Sequence, residues 1–181
     1  NDKYAGSIEK RCEFAVEIIR LIRLELGSDY PIILRWSQWK MQNYEAKLAH
    51  NPKELEAFLT PLVTAGIDIF HCSQRRFWEP EFEKSHLNLA GWVKKISSKP
   101  TITVGSIGLD ADFISNPDQR GFSEAEPASL NELLTRLDND EFDLIAVGRA
   151  LISNPNWVKH IQNNEDQKIK SFKKEHLRQL I

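Results

Sequence analysis

The stretch Phe142-Asp-Leu-Ile-Ala-Val-Gly-Arg-Ala-Leu151 decides which fold this sequence predicts. Leu144 to Val147 form a short apolar run rich in branched side chains, which is typical of a buried parallel strand. The run stops at Gly148-Arg149. A glycine there lets the backbone come close to a ligand, and an arginine offers a planar set of donors that suits phosphate. The stretch therefore predicts a strand that ends at an anion site.

A second strand, Thr101 to Val104, ends in a similar break at Gly105-Ser106. If these are the last two strands of a β/α barrel, both breaks lie at its C-terminal rim, where such barrels commonly build a phosphate site. Each glycine alone is equally consistent with an ordinary turn at a strand end. Together, and in this order, the two breaks favour phosphate binding.

The rest of the chain repeats the same strand-then-helix order. After a first helix, four strand–helix units follow at intervals of roughly 35 to 40 residues, which suits right-handed crossovers between parallel strands. Four units make half of an eight-stranded barrel. An open doubly wound sheet is the competing architecture, but its glycine fingerprint after the first strand is absent, since Arg35-Trp-Ser-Gln-Trp39 contains no glycine. The predicted strands are Ile32 to Trp36, Ile67 to Cys72, Thr101 to Val104 and Leu144 to Val147.

Capping residues predict where the helices begin and end. Gly27 and Gly66 close the first two helices, and Pro61 inside the second predicts a kink or a new turn. The expected starts are Ser7, Asn51-Pro52, a capping box of Ser129 with Glu132, and Asn154-Pro155. Residues 1–162 are expected to form the half barrel, and residues 163–181 a charged tail that is helical.

Arg35 interrupts the apolar run of the first strand. A buried guanidinium needs an anion or an acceptor, because an unpaired buried charge is costly. A salt bridge inside the barrel would satisfy it. However, Arg35 lies near the C-terminal end of its strand, where barrel ligands bind, so a ligand contact is the competing interpretation.

Two long loops follow the first two strands. The first carries Trp39, Met41 and Tyr44, which either help to cover a site or pack locally. The second, Ser73 to Pro80, is dense in arginine and aromatic residues. It would stack on a flat ligand, or form a charged rim above packed aromatic side chains.

Composition excludes several classes of function. The formal net charge of -2 gives no electrostatic reason to bind nucleic acid or an anionic membrane surface. No apolar run approaches the ~20 residues of a membrane span. Cys12 and Cys72 suit small core positions in a reducing compartment, so cytoplasm is expected. The histidines are scattered without paired ligand spacing, and no metal site is expected.

Several segments together resemble the Old Yellow Enzyme family of flavin-dependent oxidoreductases. Asp2-Lys-Tyr-Ala-Gly-Ser-Ile-Glu-Lys-Arg11 is similar to the family's D-x-Y-G-G-S-x-E-N-R segment, from which it departs at Ala5 and Lys10. The other matching segments are Leu34-Arg35-Trp-Ser37 for the fifth strand, Val104-Gly-Ser106 and Val147-Gly-Arg149 after strands seven and eight, and Asn154-Pro155. The resemblance covers most of the chain and implies strands five to eight of a TIM barrel.

The resemblance implies an enzyme in which FMN takes hydride from NADH or NADPH and passes it to an activated alkene, such as an α,β-unsaturated carbonyl. In this family the fifth-strand arginine contacts the flavin ring near N1 and O2, which implies that role for Arg35. Trp78, or its neighbour Phe77, would line the substrate side. The proton donor and the carbonyl-binding residues precede the matched segments, so no catalytic residue is assigned in this chain. The residues that would hold the FMN phosphate are Gly105, Ser106, Gly148 and Arg149.

Two other functions stay open at this point. An aldolase or isomerase would use the same rim for a phosphorylated substrate, but the lysine such enzymes often need is absent from all four predicted strands. A half barrel without a cofactor would be an assembly module. The chain opens on Asn1 rather than methionine, and we expect it alone to be inactive and to self-associate or pair with a missing N-terminal half.

Overall fold

The computed structural model describes residues 2–40, 43–113 and 123–178. Its sheet has four parallel strands in the order of the sequence, β1 to β4. A doubly wound sheet reverses its strand order part-way, whereas a barrel wall does not. The sequential order therefore confirms a partial TIM barrel. The strands are β1 (Ile33–Ser37), β2 (Ile69–Ser73), β3 (Thr101–Val104) and β4 (Leu144–Ile145).

Helices alternate with these strands and cover one face of the sheet. The first packs on the second, and the second packs on the third. Within the described ranges, no helix is long and apolar enough to cross a bilayer. The helices are α1 (Ile8–Leu26), α2 (Pro52–Ala65), α3 (Leu89–Ser97), α4 (Asn131–Asp138), α5 (Arg149–Ser153) and α6 (Trp157–Gln162), followed by two 3-10 helices, Asp166–Lys168 and Lys174–Leu177.

The register of the strands gives the sheet two unlike faces. Phe70 pairs with Thr101 and Cys72 with Thr103, and all four are buried in the core. Side chains alternate along a strand, so the intervening positions share the opposite face. This second face would be the interior of a closed barrel. It carries the register row Arg35, His71, Ile102 and Leu144.

The last strand is shorter and more exposed than the sequence predicts. Only Leu144 and Ile145 are in β4, and the Leu144 side chain is 50% exposed. β4 lies at the edge of the sheet, so it has a pairing partner on one side only. Ala146 still donates to the carbonyl of Thr103 at 2.9 Å, but Val147 belongs to the loop.

The starts of the first two helices are confirmed. The Ser7 hydroxyl accepts from the amide of Lys10 at 3.5 Å, and the Asn51 side chain accepts from the amide of Glu54 at 3.0 Å. α2 continues as one helix through Pro61, so the new turn expected there is not formed. Cys12 and Cys72 are buried and free, as predicted.

The predicted capping box of α4 is wrong. The helix begins at Asn131, whose amide donates to the Ser129 hydroxyl at 3.2 Å, but Leu130 is its cap residue and the reciprocal bond of Ser129 and Glu132 is not formed. The Glu132 carboxylate instead accepts from the Arg136 guanidinium at 2.8 Å, one turn further on. The Arg136 guanidinium, four residues later on the same helix face, competes with the backbone amide for that carboxylate, and in this structure the guanidinium binds it.

Asn154 does not begin the last helix either. It follows α5, a short helix that the sequence did not predict, and it binds the tail. Its side-chain amide donates to the carbonyl of Lys170 at 2.9 Å and accepts from the same residue's amide at 2.7 Å. The tail, which was expected to be helical, contains two short 3-10 helices, and its last three residues lie outside the described part.

Candidate functional site

A cavity of about 280 Å³ opens at the C-terminal ends of the strands. Parallel strands deliver their carboxyl ends to one edge of a sheet, so residues distant in sequence meet there. The structure brings together all five residues predicted to bind the cofactor, and their role in binding stays a prediction. They are Arg35, Gly105, Ser106, Gly148 and Arg149.

Gly105 is closely packed in the cavity wall. Its φ is +142°, and a Cβ built there would lie 2.8 Å from the carbonyl oxygen of Gln74. The amide of Phe77 donates to the carbonyl of Gly105 at 3.1 Å. The loop after β2 thus rests directly on the backbone at the end of β3, and only glycine fits at this position.

The cavity wall carries amide groups without internal acceptors. In the described part of the chain, the N–H groups of Gly105, Ser106, Gly148 and Arg149 donate no hydrogen bond. Ser106 also has a positive φ of 52°, which turns the chain sharply after β3. Unpaired amides of residues that line one concave surface are suited to bind an anion.

Arg149 lies at the start of α5, and its guanidinium faces the loop after β3. Nη1 donates to the carbonyls of Asp112 (3.1 Å) and Ser123 (3.2 Å), and Nη2 donates to that of Ala111. The ring of Phe172 packs beneath it, with 5.4 Å between guanidinium carbon and ring centre. Burial lowers the pKa of Arg149, and the nearby Asp112 and Asp110 carboxylates oppose that shift.

Arg35 is exposed on the barrel-interior face rather than buried in its strand. Its Nη1 lies 2.7 Å from Nε2 of His71, and its Nη2 donates to the hydroxyl of Ser73 at 3.2 Å. Among the residues that the structure describes, no carboxylate pairs with it, so the alternative of an internal salt bridge is not formed. Two neutral partners therefore orient a cation whose charge stays available to a ligand.

His71 acts as the acceptor in this contact. A guanidinium can only donate, so Nε2 must carry the lone pair and the ring must be neutral. Burial, and then the charge of Arg35, lower the pKa of His71 from its ordinary 6.5. The ring is therefore neutral at pH 7 and keeps Arg35 in place.

We expect the protein to lose stability through His71 in mild acid. The unfolded state takes up this proton near pH 6.5, whereas the folded state does so only at its lower pKa, so stability falls as the pH drops through that interval. The thermal denaturation midpoint, followed from about pH 7.5 to about pH 5, should fall more in the wild type than in His71→Gln, which keeps an acceptor that does not titrate. Equal slopes in the two proteins would exclude this role.

The loops after β1 and β2 place aromatic rings beside the cavity. Trp39 lines it and packs against Tyr44 (5.3 Å between ring centres) and Phe113 (5.8 Å). The first loop thus lies beside the cavity, and its role in covering a site stays a prediction. Met41, named with these residues, lies outside the described part.

Trp78 does not line this cavity. Its ring packs edge-on against Phe77, with 5.1 Å between ring centres, and its carbonyl accepts from Arg136 at 3.2 Å. It lies with packed aromatic side chains beneath the charged rim. Its predicted contact with substrate gains no support from this position.

The ion pair that joins the loops after β2 and β3 was not predicted from the sequence. Arg75 lines the cavity, and Asp112, almost wholly buried, accepts from it at 2.5 Å. The available signal was the arginine-rich run directly after β2. Its partner lies in a stretch without helical or strand periodicity, so the pairing could not be read from the sequence.

Comparison with known proteins identifies the family. A sequence model of the NADH:flavin oxidoreductase / NADH oxidase family matches residues 1–120. The chain belongs to this family. An NADH oxidase of Thermoanaerobacter brockii is 30% identical over 177 residues, which cover 93% of this chain and 24% of the relative. An NADPH dehydrogenase of Clostridium acetobutylicum is 27% identical over 166 residues, which cover 87% of this chain and 40% of the relative.

Solved structures show the same fold at lower identity. The old yellow enzyme homologue from Zymomonas mobilis superposes with a TM-score of 0.65 and 15% identity, over 97% of this chain and 42% of that one. The resemblance to Old Yellow Enzymes and the half-barrel fold are thereby confirmed. The chain spans between about a quarter and two fifths of these family members.

Proposed function

We propose that this chain is the C-terminal half of an FMN-dependent oxidoreductase that uses NADH or NADPH to reduce activated alkenes, such as α,β-unsaturated carbonyls. One observation carries the proposal. Four amide N–H groups at the ends of β3 and β4, which have no acceptor within the described residues, line the same cavity as Arg35. An anionic group and the ring of one ligand would occupy the two ends of this cavity.

The residues present fit the phosphate of FMN. Gly105 and Ser106 supply amides after β3, and Gly148 and Arg149 supply them after β4. Backbone amides reach a phosphate closely only where no side chain intervenes. The close contact between Gly105 and the loop after β2 requires a glycine at this position, so no side chain intervenes there. These residues would hold the phosphate at the C-terminal rim of the barrel.

The residues on the interior face fit the flavin ring. FMN, when bound, supplies the hydride chemistry between nicotinamide and alkene. Arg35, held by His71 and Ser73, would lie beside the pyrimidine edge of the ring and stabilise the negative charge that reduction places there. The aromatic rings around Trp39 exclude water from one side of the cavity.

Replacing Arg35 with methionine should lower the reduction potential of the flavin and slow its reduction by nicotinamide. The reduced ring loses its neighbouring cation, while methionine fills much of the same volume. Arg35→Lys, which keeps the charge, should recover part of the potential. The measurement is a spectroelectrochemical titration of the full-length enzyme. A potential that is the same in wild type and Arg35→Met would make Arg35 a structural residue.

The remaining half of the barrel would cover the apolar surfaces that this chain exposes. Ile33 and Leu144 are exposed on the interior face of the sheet. Phe14, Ile18 and Leu21 form an exposed stripe on α1, opposite the face that packs on α2. We propose that an N-terminal half covers both surfaces in the working enzyme, and that the isolated chain self-associates through them and is inactive.

The visible spectrum of a purified full-length protein, followed by titration with FMN, tests the proposed function. We expect a flavin absorption band and one FMN for each active barrel. A colourless protein that takes up no FMN would favour an assembly module without a cofactor. A colourless protein that binds a phosphorylated sugar would favour an aldolase or isomerase, although none of β1 to β4 contains a lysine.

A further inference from the structure

Arg75 is held rigidly at the wall of the cavity. Its Nε and Nη2 both donate to Oδ2 of Asp112, at 2.9 and 2.5 Å. The Asp112 side chain is 1% exposed, and its Oδ1 has no hydrogen-bond partner in the described part of the chain. A buried carboxylate needs a nearby positive charge, so breaking its contact with Arg75 would be strongly destabilising.

A second contact fixes the plane of the same guanidinium. The ring of Tyr44 lies against it, with 4.4 Å between the guanidinium carbon and the ring centre. One edge is thus bound by Asp112 and one face by Tyr44. The remaining edge is Nη1, whose two N–H groups have no acceptor among the described residues, and 25% of the side chain is exposed.

The main chain of Arg75 lies beside the proposed phosphate site. The hydroxyl of Ser106 donates to the carbonyl of Arg75 at 3.0 Å. Arg75, Gly105 and Arg149 line the same cavity. Arg75, whose Nη1 edge is uncommitted, therefore lines the cavity whose wall includes the residues with unpaired amides after β3 and β4, and it also lines a neighbouring cavity beside Tyr44.

The two arginines at this end of the cavity are not equivalent. Carbonyl oxygens of the loop after β3 occupy three N–H groups of Arg149, which include both on Nη1. In Arg75, by contrast, neither N–H group of Nη1 has an acceptor among the described residues. Arg149 is therefore suited to organise the loop and to bind through its amide, whereas Arg75 is suited to donate side-chain hydrogen bonds to an anion.

The charges around Arg75 cancel within the cluster. Asp112 contacts both Arg75 and Arg76, and Arg76 also pairs with Glu79 at 2.6 Å. Net positive charge is thus not what this cluster contributes. It contributes a guanidinium of fixed orientation with one open edge, which gives a directed, charge-assisted hydrogen bond.

We propose that Arg75 donates through Nη1 to the phosphate of FMN, and that Asp112 is the residue that positions it. This inference rests on the proposed function, and it names a residue of that site which lies on the loop after β2. Arg75 would thereby distinguish FMN from riboflavin, which has the same ring and ribityl chain but no phosphate.

The test is a titration of full-length Arg75→Met, prepared without flavin, with FMN and with riboflavin separately. We expect the dissociation constant of FMN to rise about ten- to a hundredfold, the effect of losing one charged hydrogen bond, while that of riboflavin is unchanged. Arg76→Met is the matched control, because Arg76 touches the same carboxylate but does not line the cavity. Its preference for FMN should equal that of the wild type.

A double variant guards against misfolding, since Arg75→Met alone leaves the buried Asp112 carboxylate with only its longer contact to Arg76, at 3.3 Å. Arg75→Met/Asp112→Asn removes one charge of each sign, so the net charge of the pair is unchanged. Arg76 loses its contact with Asp112 but keeps its ion pair with Glu79, and the proposed hydrogen bond to phosphate is lost. We expect it to lose the preference for FMN as the single variant does. Equal weakening of FMN and riboflavin, or an unchanged preference, would overturn the role of Arg75. A wild type that binds neither flavin would overturn the proposed function itself.

Discussion

Replacing Gly105 with alanine should abolish FMN binding and strongly destabilise the full-length enzyme. The added Cβ would lie 2.8 Å from the carbonyl oxygen of Gln74 and 3.1 Å from the carbonyl carbon of Arg75. Both are backbone atoms and cannot rotate away. The φ of +142° is also a conformation that residues with a side chain rarely adopt.

The two effects act together on one position. Backbone strain costs about 1 to 3 kcal/mol and overpacking about the same, so the free energy of unfolding should fall by roughly 2 to 6 kcal/mol. The clash of the added Cβ is relieved only if the loops after β2 and β3 separate. That movement would take the amides of Gly105 and Ser106 away from the phosphate position. Denaturant unfolding and an FMN titration of the same variant measure both consequences.

Gly148→Ala is the control for the stability effect. Gly148 also lines the cavity, but nothing lies within 4 Å of a Cβ built there. Its substitution should change the free energy of unfolding by less than about 1 kcal/mol. If Gly105→Ala is as stable as Gly148→Ala, the two loops do not meet as described.

Replacing Phe172 with alanine should have the second large effect. The side chain is 0% exposed, and its backbone pairs with Ala125 in an isolated bridge. A cavity left by a deleted phenyl ring costs about 3 to 5 kcal/mol. The ring also lies beneath Arg149, so its loss frees a guanidinium that organises the cavity wall. We therefore expect lower stability and weaker FMN binding together.

Leu177→Ala serves as the control from the same tail, because its side chain is 44% exposed. It should lower the free energy of unfolding by less than about 1 kcal/mol and leave FMN binding unchanged. Phe172→Leu should recover part of the loss, since it refills much of the volume. A Phe172→Ala variant that unfolds like Leu177→Ala would show that the tail is not docked on the barrel.

The features that the sequence predicted well are those with a local cause. A branched apolar run that stops at glycine predicts a strand and its end, and parallel strands place those ends at one edge. That reasoning is why Gly105 and Gly148, 43 positions apart in the chain, were expected together and do line one cavity. Ser7 and Asn51 were predicted as caps for the same reason, since a cap depends only on the next three residues.

Features with a distant cause were missed or predicted wrongly. Glu132 has two acceptable partners, and the choice depends on the rotamer of Arg136. Asn154 precedes a proline and so resembles a helix cap, but the tail brings Lys170 within its reach. Asp112 lies in a stretch without periodicity, and its burial depends on Arg75, a residue of another loop.

The exposure of Arg35 shows a further limit. The apolar residues around it predicted a strand buried on both faces, as in a complete barrel. In this chain the interior face is open, and Arg35 contacts His71 and Ser73 without a carboxylate. Which surface a residue faces follows from the sequence, but what covers that surface depends on the rest of the barrel.

A crystal structure of the full-length protein grown with FMN would test the central claim most directly. We expect the phosphate within hydrogen-bonding distance of the amides of Gly105, Ser106 and Gly148, and the pyrimidine edge of the ring beside the Arg35 guanidinium. A phosphate bound elsewhere on the barrel, or a flavin ring turned away from Arg35, would contradict the account.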